Sequence, residues 1–481
     1  MSVEAVILSR PGRRQATVAL MIATAMQAFD ATIANVALPQ LEQNLGGGIA
    51  LGSWVMTSYL CASAIMATLT GWLRRRYGAR SLLIGSIGVF VAASGLCAIA
   101  PSSVALIQFR LFQGAAAGVV QPLAQAILLD IYPQRDHGRM LAVWGAAIMA
   151  GPILGPVFGG IIADVASWRW IFALNFPLGL IAMLGLAHVP ATAESAVDTG
   201  IDAIGLALLV IGVGSLQLAL ERSSAAWPFA ADTAAEAGAA ALAFAAIAVR
   251  SLRSQFTLFR FQVFRNLNFS ASVFYNYLVG ALLFTTIVFL PALSEGPLGF
   301  DATQAGLTLA PRGIGTLATM LAVRYLIDRI DSRALLAAGL VITAGALALM
   351  SHVTPDGGKL WLAAASAVQG VGVGLLFTPL STLAFSTLGV ELRTDAAGVY
   401  SLLRQLGCAT GVAVMTTLLQ AKIDGTSLPL AGTAAPEAFG HGVLAAYTGC
   451  FRIMAIATAI TLPGILLFRV LQPNSAPTTA A

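Results

Sequence analysis

Asp30 stands in MQAFDATIANVALP, and no other charged residue lies between Arg14 and Glu42. An aspartate at the centre of a membrane-crossing helix costs roughly 2.5–3.5 kcal/mol, several times what one leucine recovers there. Desolvation penalises the charged form of any carboxylate, and a group able to alternate between charged and neutral states has the chemistry of a proton carrier. The structural alternative is a carboxylate paired for packing or helix orientation.

Arg110 is similarly isolated, the only charge between Arg80 and Asp130. At 100° per residue, Arg110, Gln113, Gly114, Ala117, Gln121 and Gln125 share one helix face. Such a stripe of amides and small residues suits a water-accessible cavity, where Arg110 would tune a carboxylate or form part of a proton path. Its alternative is hydrogen bonding to backbone carbonyls. Arg404, in SLLRQLGCATG between apolar stretches, joins Asp30 and Arg110 as a candidate for proton coupling. Arg312 follows Pro311 near a span start and reads as a cation snorkelling to the interface, with a cavity role as its alternative. Candidate cavity residues are Gln27, Asn35, Gln113, Gln121, Gln125, Tyr275, Asn276 and Phe284. The aromatic stretch that holds the last three could equally form an interfacial belt.

In AGPILGPVFGGII, Gly151, Gly155 and Gly159 recur every four residues, as do Pro152 and Pro156, and Gly160 follows. That pattern makes a groove for close helix contact with two sites of kinking, a hinge and packing element. Catalytic patterns are missing: His137, His188, His352 and His441 are scattered, no metal-ligand spacing occurs, and nothing resembles an ATP-binding loop. No cofactor is expected. Cys61, Cys97, Cys408 and Cys450 fall within apolar stretches and read as small buried residues.

The elements that hold these residues follow from composition. Of 481 residues, 58% are hydrophobic and 10% charged, against about 25% charged in a soluble domain. The apolar residues arrive in continuous runs of about 20, the length that crosses a hydrocarbon core of about 30 Å as a helix. Barrel strands would be shorter and alternating. The run from Ala16 to Leu38 is too long for a signal peptide and reads as a retained first span. Fourteen spans are predicted, near 16–38, 51–73, 81–100, 103–127, 140–163, 168–188, 201–220, 232–250, 268–291, 304–324, 334–352, 360–385, 396–420 and 443–468. The eighth is Ala-rich with Asp232 and Glu236 near its start, yet deleting it would put the four arginines from Arg250 to Arg265 outside. With both termini cytoplasmic, eighteen Lys and Arg lie inside, four outside and four within or at the edge of spans, which accounts for all 26. The net charge of +5 therefore reports topology, not nucleic acid.

Gly71 to Ser86 aligns with Arg324 to Gly339 at an offset of 253, pairing Leu73 with Leu326, Arg76 with Arg329 and Arg80 with Arg333. Gln113, Gly114 and Gly118 match Gln369, Gly370 and Gly374 at an offset of 256. Duplicated halves are a transporter architecture with the substrate site between them. The expected division is a tail 1–15, a six-helix bundle 16–190, two inserted helices with flanking loops 191–265, a second six-helix bundle 266–470 and a tail 471–481.

FDATIANVALP, LIQFRLFQGAAAG, GPILGPVFGG and WRWIFALNFPLG together resemble the major facilitator superfamily, specifically its fourteen-span drug:proton antiporter group of the EmrB/QacA type. The resemblance implies an all-α membrane protein in a bacterial inner membrane that exports amphipathic compounds by alternating access, driven by the proton gradient. It implies gating loops at Gly71, Arg75, Arg76, Gly78 and Arg80 and at Asp328, Arg329 and Arg333. One departure is Arg75, which stands where the superfamily pattern usually has an aspartate. Beyond the bilayer and small-molecule substrates, relatives of this type can work with a periplasmic membrane-fusion adaptor and outer-membrane channel, and the outer loop from Ala421 to Gly442 is the candidate contact. The rival readings are a dedicated exporter or proton symporter of one metabolite, siderophore or lipid, and more remotely a multispan enzyme or sensor.

Overall fold

Long apolar runs in hydrocarbon satisfy their backbone polar groups as helices, and all regular structure among the described residues is helical. The computed structural model describes residues 10–36, 41, 44–45, 48–165, 167–187, 202–223, 231–253, 261–300, 302–327, 329–354, 358–425 and 436–468. Asp328 lies outside these, as do the side chains of Asn35, Pro152 and Pro156 and the surroundings of Gly160.

Six helices form the first half: α1 (Arg10–Val36), α2 (Gly48–Tyr77), α3 (Ala79–Ala98), α4 (Ser103–Ile131), α5 (His137–Val165) and α6 (Trp168–Leu186). Two more follow, α7 (Ala203–Ser223) and α8 (Ala231–Arg253). The second half comprises α9 (Leu267–Glu295), α10 (Ala302–Leu326), α11 (Ser332–Met350), α12 (Gly358–Ser386), α13 (Val390–Gly425) and α14 (Pro436–Ile460). Thirteen of these are long and apolar enough to cross a membrane. The other is α5, whose 29 residues run unbroken past Pro152 and Pro156 and at about 1.5 Å per residue exceed the hydrocarbon thickness. The Ala-rich eighth span is a helix; Arg222 at the end of α7 meets its acidic start, 3.0 Å from Glu236. At the opposite end Arg250 of α8 pairs with Asp202 at 2.8 Å, so the two helices are clamped at both ends. One expectation needs correcting. The outer loop is shorter than Ala421 to Gly442, because α13 continues to Gly425 and α14 begins at Pro436.

Both halves use the same packing. In the first, α1 lies against α5 and α6, and α4 against α2 and α3; in the second, α9 lies against α13, and α12 against α10 and α11. The glycines show the repeat directly. Gly114 and Gly118 of α4 abut the Tyr59 and Ser63 carbonyls of α2, and Gly370 and Gly374 of α12 abut the Arg312 and Thr316 carbonyls of α10. Gly151 and Gly155 of α5 press on Ala28 and Thr32 of α1, as Gly407 and Gly411 of α13 press on Tyr277 and Ala281 of α9. Backbone contact of this kind joins membrane helices tightly where apolar burial supplies little drive.

The halves meet along two seams, α2 with α13 and α5 with α10. Helix α7 packs on α2 and α13 and so covers the first seam.

The glycine contacts predict a graded response to one methyl group. Gly370→Ala should destabilise the chain by about 1–3 kcal/mol through overpacking, because its Cβ would collide with the Arg312 carbonyl. Gly95→Ala, where a Cβ meets nothing within 4 Å, should leave thermal unfolding in detergent unchanged.

Candidate functional site

Four helices of the first half converge on Asp30. Its side chain and that of Arg110 are both fully buried, and Arg110 Nη1 donates to Oδ2 at 2.7 Å. Gln113, one turn beyond Arg110 on α4, donates through Nε2 to Oδ1 at 2.9 Å, and Asn175 of α6 donates through Nδ2 to the same oxygen at 2.7 Å. Ser94 of α3 accepts from Gln113 at 3.0 Å and from Asn175 at 2.8 Å, and donates to the Phe172 carbonyl at 2.8 Å. The carboxylate thus has three donors, one of them charged, each held by a second bond. Asp30 is thus paired with Arg110, an arrangement compatible with both of its readings, the proton carrier and the carboxylate paired for packing.

Tyr59 of α2 separates this cluster from open space. Its ring lies 4.3 Å from the Arg110 guanidinium carbon, and its hydroxyl donates to the Gln27 carbonyl at 3.4 Å. On the far side Tyr59 and Gln27 line a central cavity of about 330 Å³. The cavity is walled by α1, α2, α5, α7, α9 and α13, with Gln121 reaching in from α4. Arg404 of α13 is the one charged residue of its lining among the described residues, and Arg404 Nη2 donates to Gln121 Oε1 at 3.1 Å.

At the arginine-rich end the halves are latched together. Arg75 Nη1 reaches both carboxylate oxygens of Asp395 on α13, at 2.9 and 2.8 Å. Arg74 donates to Thr394 Oγ1 at 2.6 Å and pairs with Asp130 at 2.8 Å. Gln134 donates to the Ser386 carbonyl at 2.9 Å. Gly71 leaves the room that Asp395 fills, and Gly398 of α13 abuts the Ala67 carbonyl of α2. Gly78, with φ of 77°, makes the turn between α2 and α3 that a β-carbon would strain. The cavity, lined on α13 by residues 404–416, lies beyond this seal.

The predicted residues divide among these places. Asp30, Arg110 and Gln113 form the buried cluster, so Gln113 is not a cavity residue; its amide is used up between Asp30 and Ser94. Gln27, Gln121, Phe284 and Arg404 line the cavity, which moves Arg404 away from Asp30's immediate partners. Gln125 is buried near Trp144, Phe377 and Tyr400. Tyr275 and Asn276 are structural: the first bonds to the Thr461 carbonyl at 2.5 Å and packs on Phe468, and the second donates to the Tyr400 carbonyl at 2.7 Å. Arg312 does not snorkel; it is buried and donates to the Leu283 carbonyl at 2.9 Å. Gly151 and Gly155 pack on α1, and Gly159 is buried. Arg80 holds the Ala187 carbonyl at 2.8 Å, Arg76 and Arg329 are exposed, and the Arg333 amide is capped by Asp331 at 2.9 Å. Three residues went unnamed in the sequence: Tyr59, Ser94 and Asn175. Asn175 had a signal, as the only amide in the apolar run WRWIFALNFPLG.

Comparison with known proteins identifies the family to which the chain belongs. A family model described as Major Facilitator Superfamily matches residues 20–412. The chain is 35% identical over 404 residues to "Multidrug export protein EmrB" of Haemophilus influenzae, covering 83% of this chain and 79% of that protein. Over 407 residues it is 33% identical to "Fatty acid resistance protein FarB" of Neisseria gonorrhoeae, covering 84% and 80%. Among solved structures, the human organic anion transporter MFSD10 superposes with a TM-score of 0.64 at 16% identity over 93% of this chain and 99% of its own. The proton:xylose symporter XylE gives 0.63 at 14% over 95% and 96%.

Breaking a buried pair from one side strands the other charge. Arg110→Leu should therefore destabilise the chain by about 3–5 kcal/mol, and adding Asp30→Asn should recover part of that loss. A double-mutant cycle on thermal unfolding, run in one detergent, reads the coupling directly; additive losses would mean the two groups act independently.

Proposed function

We propose that this chain, which belongs to the major facilitator superfamily, is a proton-coupled exporter of amphipathic organic compounds from the fourteen-span drug:proton antiporter group. The observation that carries the reading is the arrangement of a sealed acid–base cluster and an open cavity on opposite faces of one tyrosine. A relative more than a third identical has a name that concerns multidrug export, and the largely apolar cavity suits substrates recognised by shape.

The two seams supply the motion. Within each half, glycines bring backbones into contact and make rigid pairs. Between halves, the latch of Arg74, Arg75, Thr394 and Asp395 holds one end shut. On the positive-inside rule that end is cytoplasmic, in a bacterial inner membrane with both termini inside. The structure then corresponds to a state closed to the cytoplasm, with the cavity towards the periplasm. Breaking the latch and closing the far end of the same seams exposes the cavity inwards.

Proton uptake at Asp30 would neutralise the carboxylate and dissolve its pair with Arg110. The freed guanidinium lies against Tyr59, so the change reaches the cavity wall through that ring and Gln27. Coupling on this route is indirect, because Asp30 is fully buried and does not line the cavity. The ends of α13 and α14 near Gly425 and Pro436 are where a periplasmic adaptor would bind.

In proteoliposomes with an imposed pH gradient, Asp30→Asn should abolish gradient-driven efflux while leaving facilitated exchange at zero gradient. Undiminished coupling in that variant would overturn the proton assignment. The latch is tested separately. Arg75→Asp should lower efflux about 10-fold by opening the cytoplasmic end, as expected for loss of about 1.4 kcal/mol, and Arg75→Asp with Asp395→Arg should restore much of it.

A further inference from the structure

We infer that the cavity binds amphipathic organic anions, with the acidic head at Arg404 and the apolar body against the inserted helix α7, an inference that rests on the export reading above. Among the described residues Arg404 is the only charged one lining the cavity, and its side chain is met by the Gln121 amide oxygen, with no carboxylate paired to it. A second cation stands behind the wall. Arg312 is buried, gives Nη2 to the carbonyl of cavity-lining Leu283 at 2.9 Å, and has Nη1 buried without a partner. Asp30, the carboxylate nearest the cavity wall among the described residues, is sealed away and neutralised by Arg110. The field in the cavity is therefore that of excess positive charge in a low-dielectric setting, where an anion completes the pairing and a cation is repelled.

A lipophilic cation would need an acid or an aromatic cage. The described lining holds no acid, and its two aromatic residues are Phe284 and Tyr59, the latter already stacked on Arg110. For a carboxylate or sulfonate the head-group donors are present: Arg404, with Gln217 and Gln405 also lining the cavity. Val213, Leu216, Gln217 and Leu220 follow the i, i+3, i+4, i+7 spacing of one helical face, and all four line the cavity from α7. The inserted pair thus supplies an apolar wall over the α2–α13 seam, and the other seam has no such helix over it among the described contacts. Moving an anion outwards is also downhill in an inside-negative membrane potential.

The test uses the full chain in phosphatidylcholine nanodiscs and three probes of one shape: 2-naphthoate, neutral 2-naphthamide and (2-naphthylmethyl)trimethylammonium. Binding is read by protection of Cys61, which lines the cavity and is partly exposed, against maleimide alkylation followed by mass spectrometry. Naphthoate should bind at least about 10-fold tighter than the ammonium probe, the scale of one charge-assisted hydrogen bond. Arg404→Gln should shift the naphthoate-to-naphthamide affinity ratio about 10-fold towards the amide, and Arg404→Lys should retain most of the preference. Leu216→Trp should weaken all three probes by filling the wall. Equal or tighter binding of the ammonium probe, or an unchanged ratio in Arg404→Gln, would overturn the anion assignment. If the amide or the ammonium probe is bound and pumped without preference for naphthoate, this inference alone fails. If none of the three is bound or moved in proteoliposomes, the export reading fails with it.

Discussion

A buried charge in hydrocarbon has to be matched or removed, and the pair of Asp30 with Arg110 is where this molecule meets that demand most fully. The pair alone would leave lone pairs on the carboxylate and protons on the guanidinium. Gln113 and Asn175 supply partners for the acid, Ser94 holds both of their amides in place, and the Tyr59 ring covers the base. Because those partners come from α1, α2, α3, α4 and α6, the requirements of one carboxylate set the relative positions of five helices. A change in its proton occupancy is then a change in what holds half of the protein together.

The other half shows what the same frame does without the charge. Residues 256 further along put Thr286 in place of Asp30, Gln369 in place of Gln113 and Ser366 in place of Arg110. Gln369 still donates to its partner, Thr286 Oγ1, at 2.9 Å. The helix contacts survive and the ion pair does not, so the glycine-to-carbonyl packing is sufficient to build a half, and the acid is an addition to it. The second half instead has Arg404 lining the cavity and Arg312 buried behind it, with no acid paired to either among the described residues. One half therefore holds a neutralised pair and the other an excess of positive charge.

Much of this was legible in the chain because hydrocarbon makes polar residues conspicuous. Asp30 and Arg110 stand out since each is the only charge in its span, and the fourteen runs declare themselves by length. The Ala-rich α8 could be kept on the charge balance of the loops around it, and it is a helix from Ala231 to Arg253. What could not be read was which face of a helix meets which neighbour. The stripe from Arg110 to Gln125 looks continuous on a helical wheel, but α4 is flanked by α2 along its small residues. The stripe is therefore cut into a buried end at Arg110 and Gln113 and a cavity end at Gln121. Tyr59 carries no signal of its own, since a tyrosine in a membrane helix is ordinary until an arginine is found beneath its ring. Tyr275 and Asn276 misled for the converse reason: their polar atoms serve backbone carbonyls of α13 and the segment after α14.

Arg75 is instructive because it departs from the superfamily pattern and still bridges the halves. An aspartate at its position would draw on positive charge across the interface; here the polarity is reversed, and α13 offers Asp395 to an arginine. The internal repeat extends the point in sequence alone. The offset that carries α2 onto α10 takes Arg75 to residue 328, an aspartate, and the offset that carries α5 onto α13 relates Asp395 to residue 139, an arginine. Both sets of repeated positions thus combine one acid and one base, with the signs exchanged between halves. At the α2–α13 seam opposite charges meet, with the acid contributed by α13. Reversal of both members therefore preserves a latch that reversal of one would destroy.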